Sequence, residues 1–151
     1  MIPQEVINLT NGPYFVYLGS RDGNMIPMTR QGWGMDLKAA NIIIYVVEAQ
    51  VEPMLKNLQD NGRVTVNLTD PNDHTSYQMK GQFIKARPML EDETALQQQY
   101  RVNLVNVVTT LGYSKEVAER YACHPDVAIE IEVEQIFNQT PGPGAGKEIT
   151  A

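Results

Sequence analysis

The feature that most constrains this chain is a set of short segments in which apolar and polar residues alternate. Residues 63–69 place Val64, Val66 and Leu68 on one side and polar side chains on the other. Residues 127–134 repeat the pattern, with isoleucine and valine opposite alanine and glutamate. A period of two is typical of a strand that buries one face and exposes the other to water. These segments therefore predict a chain built mainly from antiparallel β-sheet.

A hairpin is predicted near the start of the chain. Residues 14–19 and about 25–31 have strand character and flank an Asp22-Gly23 pair. Asp-Gly between two strands is a strong hairpin signal, because glycine tolerates the positive φ that such turns need. Pro27 cannot donate a ladder hydrogen bond, so the second strand is expected to have an edge or a bulge at that point.

Two further strands are predicted in the middle of the chain. Residues 42–47 are β-branched and apolar on both faces, as in a fully buried strand. Residues 75–86 alternate again, and Gly81 interrupts them. A glycine inside a strand indicates a bulge or a close approach by another backbone or a ligand.

Helical spacing occurs in two regions. The first is a short mid-chain helix that ends at Gly62, with apolar residues at Val51, Met54, Leu55 and Leu58. The second is a helical insertion before the last strand. Its signals are a capping-box spacing that begins at Thr94, an apolar stripe from Leu96 to Leu111, and Ser114 as the cap of a shorter helix.

This order of elements predicts a Greek-key-like or open barrel of about six strands. A doubly wound parallel sheet is disfavoured, because strands and helices do not alternate regularly. We expect one domain over residues 1–151, in which residues 137–151 form a Pro/Gly-rich arm.

Composition limits the class of partner. The net charge is −6 and no segment concentrates Lys or Arg, so neither a nucleic acid nor an anionic membrane is expected as a partner. The single cysteine, Cys123, excludes an internal disulfide framework. With no recognisable signal peptide, this favours a cytoplasmic location. No His or Cys spacing indicates a metal site.

The order of elements and three strings resemble the pyridoxamine 5′-phosphate oxidase-like, FMN-binding split-barrel family. The strings are YFVYLGSRDGNMIPMTRQ, NIIIYVVEAQVEPMLKNLQDNGRVTVNL and DHTSYQMKGQF. The resemblance covers roughly residues 5 to 86. It implies a split β-barrel that pairs as a homodimer, with FMN at the interface between the two barrels.

The resemblance also implies contacts to the cofactor. Arg30 lies about where the family places a phosphate-binding arginine, and a guanidinium suits a phosphate because it can donate two parallel hydrogen bonds. Ser76, Gln78 and Lys80 share one face of the strand that contacts the cofactor in the family. We expect them to reach the phosphate or the hydrogen-bonding edge of the isoalloxazine ring.

The stretch after residue 47 departs from the family pattern. The family typically has hydroxyl and cationic side chains there, whereas this chain has Glu48, Gln50, Glu52 and Met54. Two carboxylates near a phosphate are electrostatically unfavourable. Either Arg30 and Lys56 provide more of the phosphate binding, or this chain binds FMN weakly or takes another ligand.

The candidate residues also have purely structural interpretations. Arg30 and Lys80 could be solvated surface residues. Trp33, between two glycines, either covers a planar ring or anchors its loop to the core, and the anchor is favoured. His74 is interpreted as a surface turn residue, and Cys123 as a small buried residue at a helix end.

The resemblance thus implies an FMN-binding flavoprotein, an oxidoreductase that acts on an unidentified small molecule. No catalytic side chain can be assigned, because the flavin would carry the redox chemistry. Two alternatives remain open. One is a non-catalytic ligand-binding or sensory barrel that holds flavin, deazaflavin or haem. The other is a structural dimer with a degenerate site.

Overall fold

One eight-stranded antiparallel sheet dominates the structure, a computed structural model that describes residues 1–149. The strands are β1 (Phe15–Arg21), β2 (Pro27–Gly32), β3 (Met35–Lys38), β4 (Asn41–Val46), β5 (Arg63–Thr69), β6 (Ser76–Pro88), β7 (Val127–Asn138) and β8 (Glu148–Ile149). The helices are α1 (Gln4–Thr10), α2 (Glu48–Asn61), α3 (Glu91–Thr110) and α4 (Lys115–Tyr121).

The sheet curls into a barrel that is not closed. Its strand order is β2-β1-β5-β6-β7-β4-β3, and β8 pairs with β7 beside this path. The edge strands β2 and β3 are consecutive in the chain. They are joined through Trp33, whose N–H donates to the carbonyl of Tyr45, and Gly34, whose carbonyl accepts from the N–H of Tyr45. The mainly β split barrel predicted from the sequence is confirmed.

The alternation in the sequence separates the sheet into an inner and an outer face. On β5, Val64, Val66 and Leu68 are buried in the core, whereas Thr65 and Asn67 lie on the outer face. The inner face is covered in part by α2, which contributes buried apolar side chains at Val51, Met54 and Leu58. Burying each such side chain stabilises the fold by about 1.5–3 kcal/mol.

Gly81 marks a close approach of β6 to β7. The pairing register shifts between Lys80 and Gly81. A Cβ atom at position 81 would lie only 1.9 Å from the carbonyl oxygen of Glu132. The bulge or close approach predicted at this glycine is confirmed, and the approaching group is the backbone of β7.

The predicted helix ends are only partly right. Gly62 ends α2 in the left-handed conformation with φ of 70°, and the Ser114 side chain accepts from the N–H of Val117, as predicted. The capping box predicted at Thr94 is wrong, because α3 already begins at Glu91. Thr94 lies within the first turn and donates its hydroxyl to the carbonyl of Leu90.

Three elements were not predicted, namely α1, β3 and β8. The Pro/Gly-rich tail folds back on its own chain. Its chain turns back so that the N–H of Asn138 donates to the carbonyl of Lys147, and Ile149 pairs with Ile136. Residues 150–151 of the predicted arm lie outside the described residues.

The start of α3 is fixed by a partly buried charge cluster. Arg87 donates two hydrogen bonds to Glu93, of 2.6 and 2.9 Å, and a third of 2.6 Å to Glu130. Glu93 also accepts from the N–H of Leu90 at the helix N-terminus. The Arg87 guanidinium holds the pKa of Glu93 below its ordinary value of 4.5.

Within the described chain, no helix is long and apolar enough to cross a bilayer.

Replacing Gly81 by alanine tests the contact between β6 and β7. We expect the free energy of unfolding to fall by about 1–3 kcal/mol, because the added methyl group overlaps the Glu132 carbonyl and forces the strands apart. Urea titration followed by circular dichroism measures this change. Gly23→Ala is the control, since a Cβ there meets nothing within 4 Å. Equal stabilities of the two variants would contradict the contact.

The charge cluster predicts a pH-dependent effect of Glu93→Gln. At pH 7 we expect the free energy of unfolding of the variant to be about 1.5–3 kcal/mol lower than that of the wild type, because two charge-assisted hydrogen bonds are weakened. Since folding lowers the Glu93 pKa, the wild-type advantage is complete above 4.5 and is lost as the pH falls through the folded-state pKa.

The matched control is Glu116→Gln, which disrupts an exposed pair with Arg120. Urea titrations at several pH values should show little effect of this control. A loss in the Glu93 variant that persists unchanged at pH 3 would contradict the electrostatic origin.

Candidate functional site

A cleft opens on the outer face of β1, β2, β5 and β6, with a volume of about 630 Å³. This size is within the range of small-molecule sites. Thr29, Gly19, Thr65 and Lys80 are successive partners across the four strands, so they form one row on this face. The cleft therefore depends on the register of the sheet, since these residues are far apart in the sequence.

A second row runs beside the first. It consists of Gln31, Tyr17, Asn67, Gln78 and Phe137, which are successive partners from β2 to β7. Two neighbouring amides, those of Asn67 and Gln78, thus lie between two aromatic rings. Such amides can both donate and accept hydrogen bonds to the edge of a polar ring.

Gly19 leaves space in the floor of the cleft. A Cβ at this position would lie 2.5 Å from the hydroxyl oxygen of Thr65. A larger residue would therefore have to displace Thr65 or fill the cleft. The glycine keeps the backbone of β1 accessible between the two polar rows.

The charge of the cleft is opposite to that of the whole chain. Arg21, Arg63 and Lys80 line it, and none of its described lining residues is acidic, although the net charge of the chain is −6. Arg63 forms an exposed pair of 3.2 Å with Glu134, which is not among the lining residues. The ammonium of Lys80 lies 4.5 Å from the ring centroid of Phe137. All three cations keep free donors for an anion.

Two of the predicted cofactor contacts, Gln78 and Lys80, line this cleft. Ser76 lies further along the same face of β6, but its hydroxyl is already used. It lies 3.0 Å from the hydroxyl of Thr69 and donates to the carbonyl of His74 at 2.8 Å. Ser76 is therefore placed next to the site without lining it.

Arg30 lies on the opposite face of the sheet from the cleft. It pairs with Leu18, a core residue, and its Nε donates to the carbonyl of Gln50 at 2.7 Å. Lys56 is exposed on α2 and also lies outside the cleft lining. The structure thus does not bring Arg30 and Lys56 together with Gln78 and Lys80.

Trp33 is packed as an anchor. It is only 4% exposed, and its ring meets Tyr121 edge-on at 5.5 Å between centroids. Its indole N–H donates to Oε1 of Gln50, and its carbonyl accepts from Gln97. Trp33 therefore joins the chain between β2 and β3 to α2, α3 and α4, which agrees with the structural interpretation favoured from the sequence.

The N-terminus of α2 does not fit a phosphate. Its first amide, that of Glu48, already donates to the carboxylate of Asp126 at 2.8 Å. Glu48 and Glu52 add two more carboxylates within the first turns. An additional anion here would meet three negative side chains, so the departure noted in the sequence is matched by an occupied helix terminus.

Sequence reasoning missed Arg21, Arg63 and Asn67 as members of the site. Arg63 and Asn67 occupy the outward positions of an alternating strand, which was a usable signal. Their meeting with Gln78 and Lys80 depends on the pairing of β5 with β6, and no local pattern gives that register.

No protein-family model matches the chain, and no curated protein matches it either. Solved structures do. HupZ of Group A Streptococcus is similar with a TM-score of 0.59 and 20% identity, over 97% of this chain and 100% of that one. The chain has the split-barrel fold.

Two other solved structures have the same fold. One is a pyridoxamine 5′-phosphate oxidase-related, FMN-binding protein from Nostoc punctiforme, with a TM-score of 0.52, 10% identity and coverage of 95% and 87% of the two chains. The other is HutZ, the haem storage protein from Vibrio cholerae, with a TM-score of 0.51, 10% identity and coverage of 89% and 92%. The resemblance stated from the sequence is confirmed at the level of the fold.

Proposed function

We propose that the outer-face cleft binds FMN. The observation that carries this proposal is the local charge: three cations and no acidic residue line a cleft in a chain of net charge −6. Arg21, Arg63 and Lys80 would hold the phosphate through charge-assisted hydrogen bonds, which are stronger than those between neutral groups. The amides of Asn67 and Gln78 would hydrogen-bond the polar edge of the ring.

The available hydrogen-bond donors distinguish this cleft from the region of Arg30, where the resemblance would place the phosphate. Arg30 already donates to the carbonyls of Gln50 and Thr29, and the nearby terminus of α2 carries carboxylates. In the cleft, no described lining residue is acidic, and only Arg63 of the three cations forms a salt bridge, an exposed one with Glu134 outside the lining. The cleft is therefore the better site for a phosphate.

The solved structures with this fold include proteins described as binding FMN and as storing haem. The positions of the histidines favour a flavin over haem as the ligand of the cleft. His74 and His124 are the two histidines of the chain, both are exposed, and neither lines the cleft. Haem iron usually takes an axial histidine, cysteine, methionine or tyrosine, and Met28 is the one such residue in the described lining.

Bound FMN would supply electron or hydride transfer to a small-molecule substrate, so the protein would act as an oxidoreductase. The side chains of this chain would bind and orient the cofactor. The cleft is open on the outer side of the sheet, and a second copy of the chain would cover it there. We therefore include a homodimer in the proposal.

Titration of cofactor-free protein with FMN, followed by flavin fluorescence, tests this proposal. We expect saturable binding of one FMN per chain. Lys80→Ala and Arg63→Ala should each weaken binding about tenfold or more, because each removes a hydrogen bond to a charged phosphate. Lys85→Ala is the matched control, since Lys85 is an exposed lysine of the same strand outside the cleft.

Arg30→Ala compares the two phosphate sites directly. If the cleft holds the phosphate, this variant should bind FMN as the wild type does. A large loss in Arg30→Ala with no loss in Lys80→Ala would move the phosphate to the opposite face of the sheet. Absence of saturable FMN binding by the wild type would overturn the proposal.

A further inference from the structure

A separate pocket lies between the helical pair and the start of the barrel. It has a volume of about 290 Å³ and is lined by Phe15, Val108, Leu111, Tyr113, Val117 and Tyr121. The pocket contains no charged lining residue, in contrast to the cationic cleft. It has the size and the apolar, aromatic walls expected of a site for a small molecule.

The walls of this apolar pocket are unusually exposed for such side chains. Leu111, Tyr113 and Val117 are 56%, 59% and 49% exposed, and they come from both helices and the turn between them. Single exposed apolar residues are common on protein surfaces, whereas a concave cluster of them is typical of a binding site.

Behind Tyr121, outside the lining of the pocket, lie buried polar groups that lack partners among the described residues. The Tyr121 hydroxyl donates to Oε1 of Gln31 at 2.9 Å, while Nε2 of Gln31 is buried with no hydrogen-bond partner in the described chain. The Tyr100 hydroxyl is likewise buried without a partner among residues 1–149. Buried donors without an acceptor are uncommon in folded proteins, so each requires an explanation.

Gln31 is hydrogen-bonded to the Tyr121 hydroxyl, and the Tyr100 phenol lies near that of Tyr121. Arg101 donates to the carbonyls of Ala122 and Glu119. These bonds hold the C-terminal end of α4 next to the turn of α3 that contains Tyr100. Burial and the nearby phenols of Tyr14, Tyr121 and Tyr17 raise the pKa of Tyr100. The Tyr100 hydroxyl therefore stays protonated and is available as a donor.

We propose that this pocket binds a small, uncharged aromatic molecule that carries one hydrogen-bond acceptor, such as a ketone. Its ring would pack among the apolar walls, and its acceptor would meet the donors at the Tyr121 end. A phosphorylated ligand is excluded because no cation lines the pocket. The lining of this pocket shares no residue with the lining of the FMN cleft.

The size and polarity of the pocket decide between a small ligand and a protein segment. A volume of 290 Å³ accommodates a molecule of about two fused rings. A protein partner would be expected to bury a much larger area, and the polar donors behind Tyr121 would not be satisfied by an apolar contact at the rim. The donors favour a ligand that enters the pocket.

The test uses 2-acetylnaphthalene and 2-ethylnaphthalene as probes, with the full chain free of FMN and equilibrium dialysis as the measurement. We expect the ketone to bind saturably at one per chain, and the hydrocarbon to bind about tenfold more weakly. Gln31→Leu, which removes a donor but keeps the approximate shape, should reduce ketone affinity toward that of the hydrocarbon.

Two variants fill or alter the pocket itself. Val117→Trp should abolish binding of both probes, and Leu111→Gln, at another exposed position, should weaken both. Val102→Trp is the matched control, because Val102 is similarly exposed on α3 at 52% and does not line the pocket. Circular dichroism shows whether each variant is folded.

Several outcomes would overturn the inference. They are absence of saturable probe binding by the wild type, equal losses in Val117→Trp and Val102→Trp, and equal affinity for ketone and hydrocarbon. Loss of a dimer in Val117→Trp, with no probe binding by the wild type, would instead identify the patch as a subunit contact. FMN titration of Val117→Trp and Leu111→Gln, neither of which lies in the cleft, is expected to match the wild type, so this inference and the flavin proposal can fail separately.

Discussion

At Gly81 the backbones of β6 and β7 come so close that any side chain would overlap the carbonyl of Glu132, and the rest of the barrel depends on this contact. β6 pairs with β5 on one side and with β7 on the other. The bulge lies directly beside Lys80, whose row forms one side of the cleft. The same contact therefore holds the core strands together and fixes the position of a candidate ligand contact.

The fold could be predicted to the extent that it is encoded locally. Residues 63–69 form β5 as predicted, because alternation is complete there, and Gly62 and Ser114 mark helix ends because their roles depend on a single residue. The short strand β3 was missed since four residues carry too little pattern. The start of α3 was misplaced because Glu93, three residues beyond Leu90, caps the helix with help from Arg87, a residue outside it.

The candidate site was predictable only in part, because it is defined by a face of the sheet and not by a stretch of chain. Gln78 and Lys80 were predicted because they share one face of the strand that contacts the cofactor in the family the sequence resembles, and both line the cleft. Arg63 and Arg21 join them only through the ladders of β1, β5 and β6. Arg30 shows the converse: its position along the chain resembles that of a phosphate ligand, but its pairing with Leu18 places it on the other face.

Trp33, described above as an anchor, is also the only tryptophan of the chain. Its ring is packed against Tyr121 of α4 and its indole N–H donates to Gln50 of α2, whereas only its backbone N–H takes part in the sheet, through Tyr45. Its emission therefore reports the docking of the helices more than the integrity of the strands. Partial opening of the helical pair, in which α4 separates while the barrel persists, would alter tryptophan fluorescence before the strand signal in circular dichroism changes.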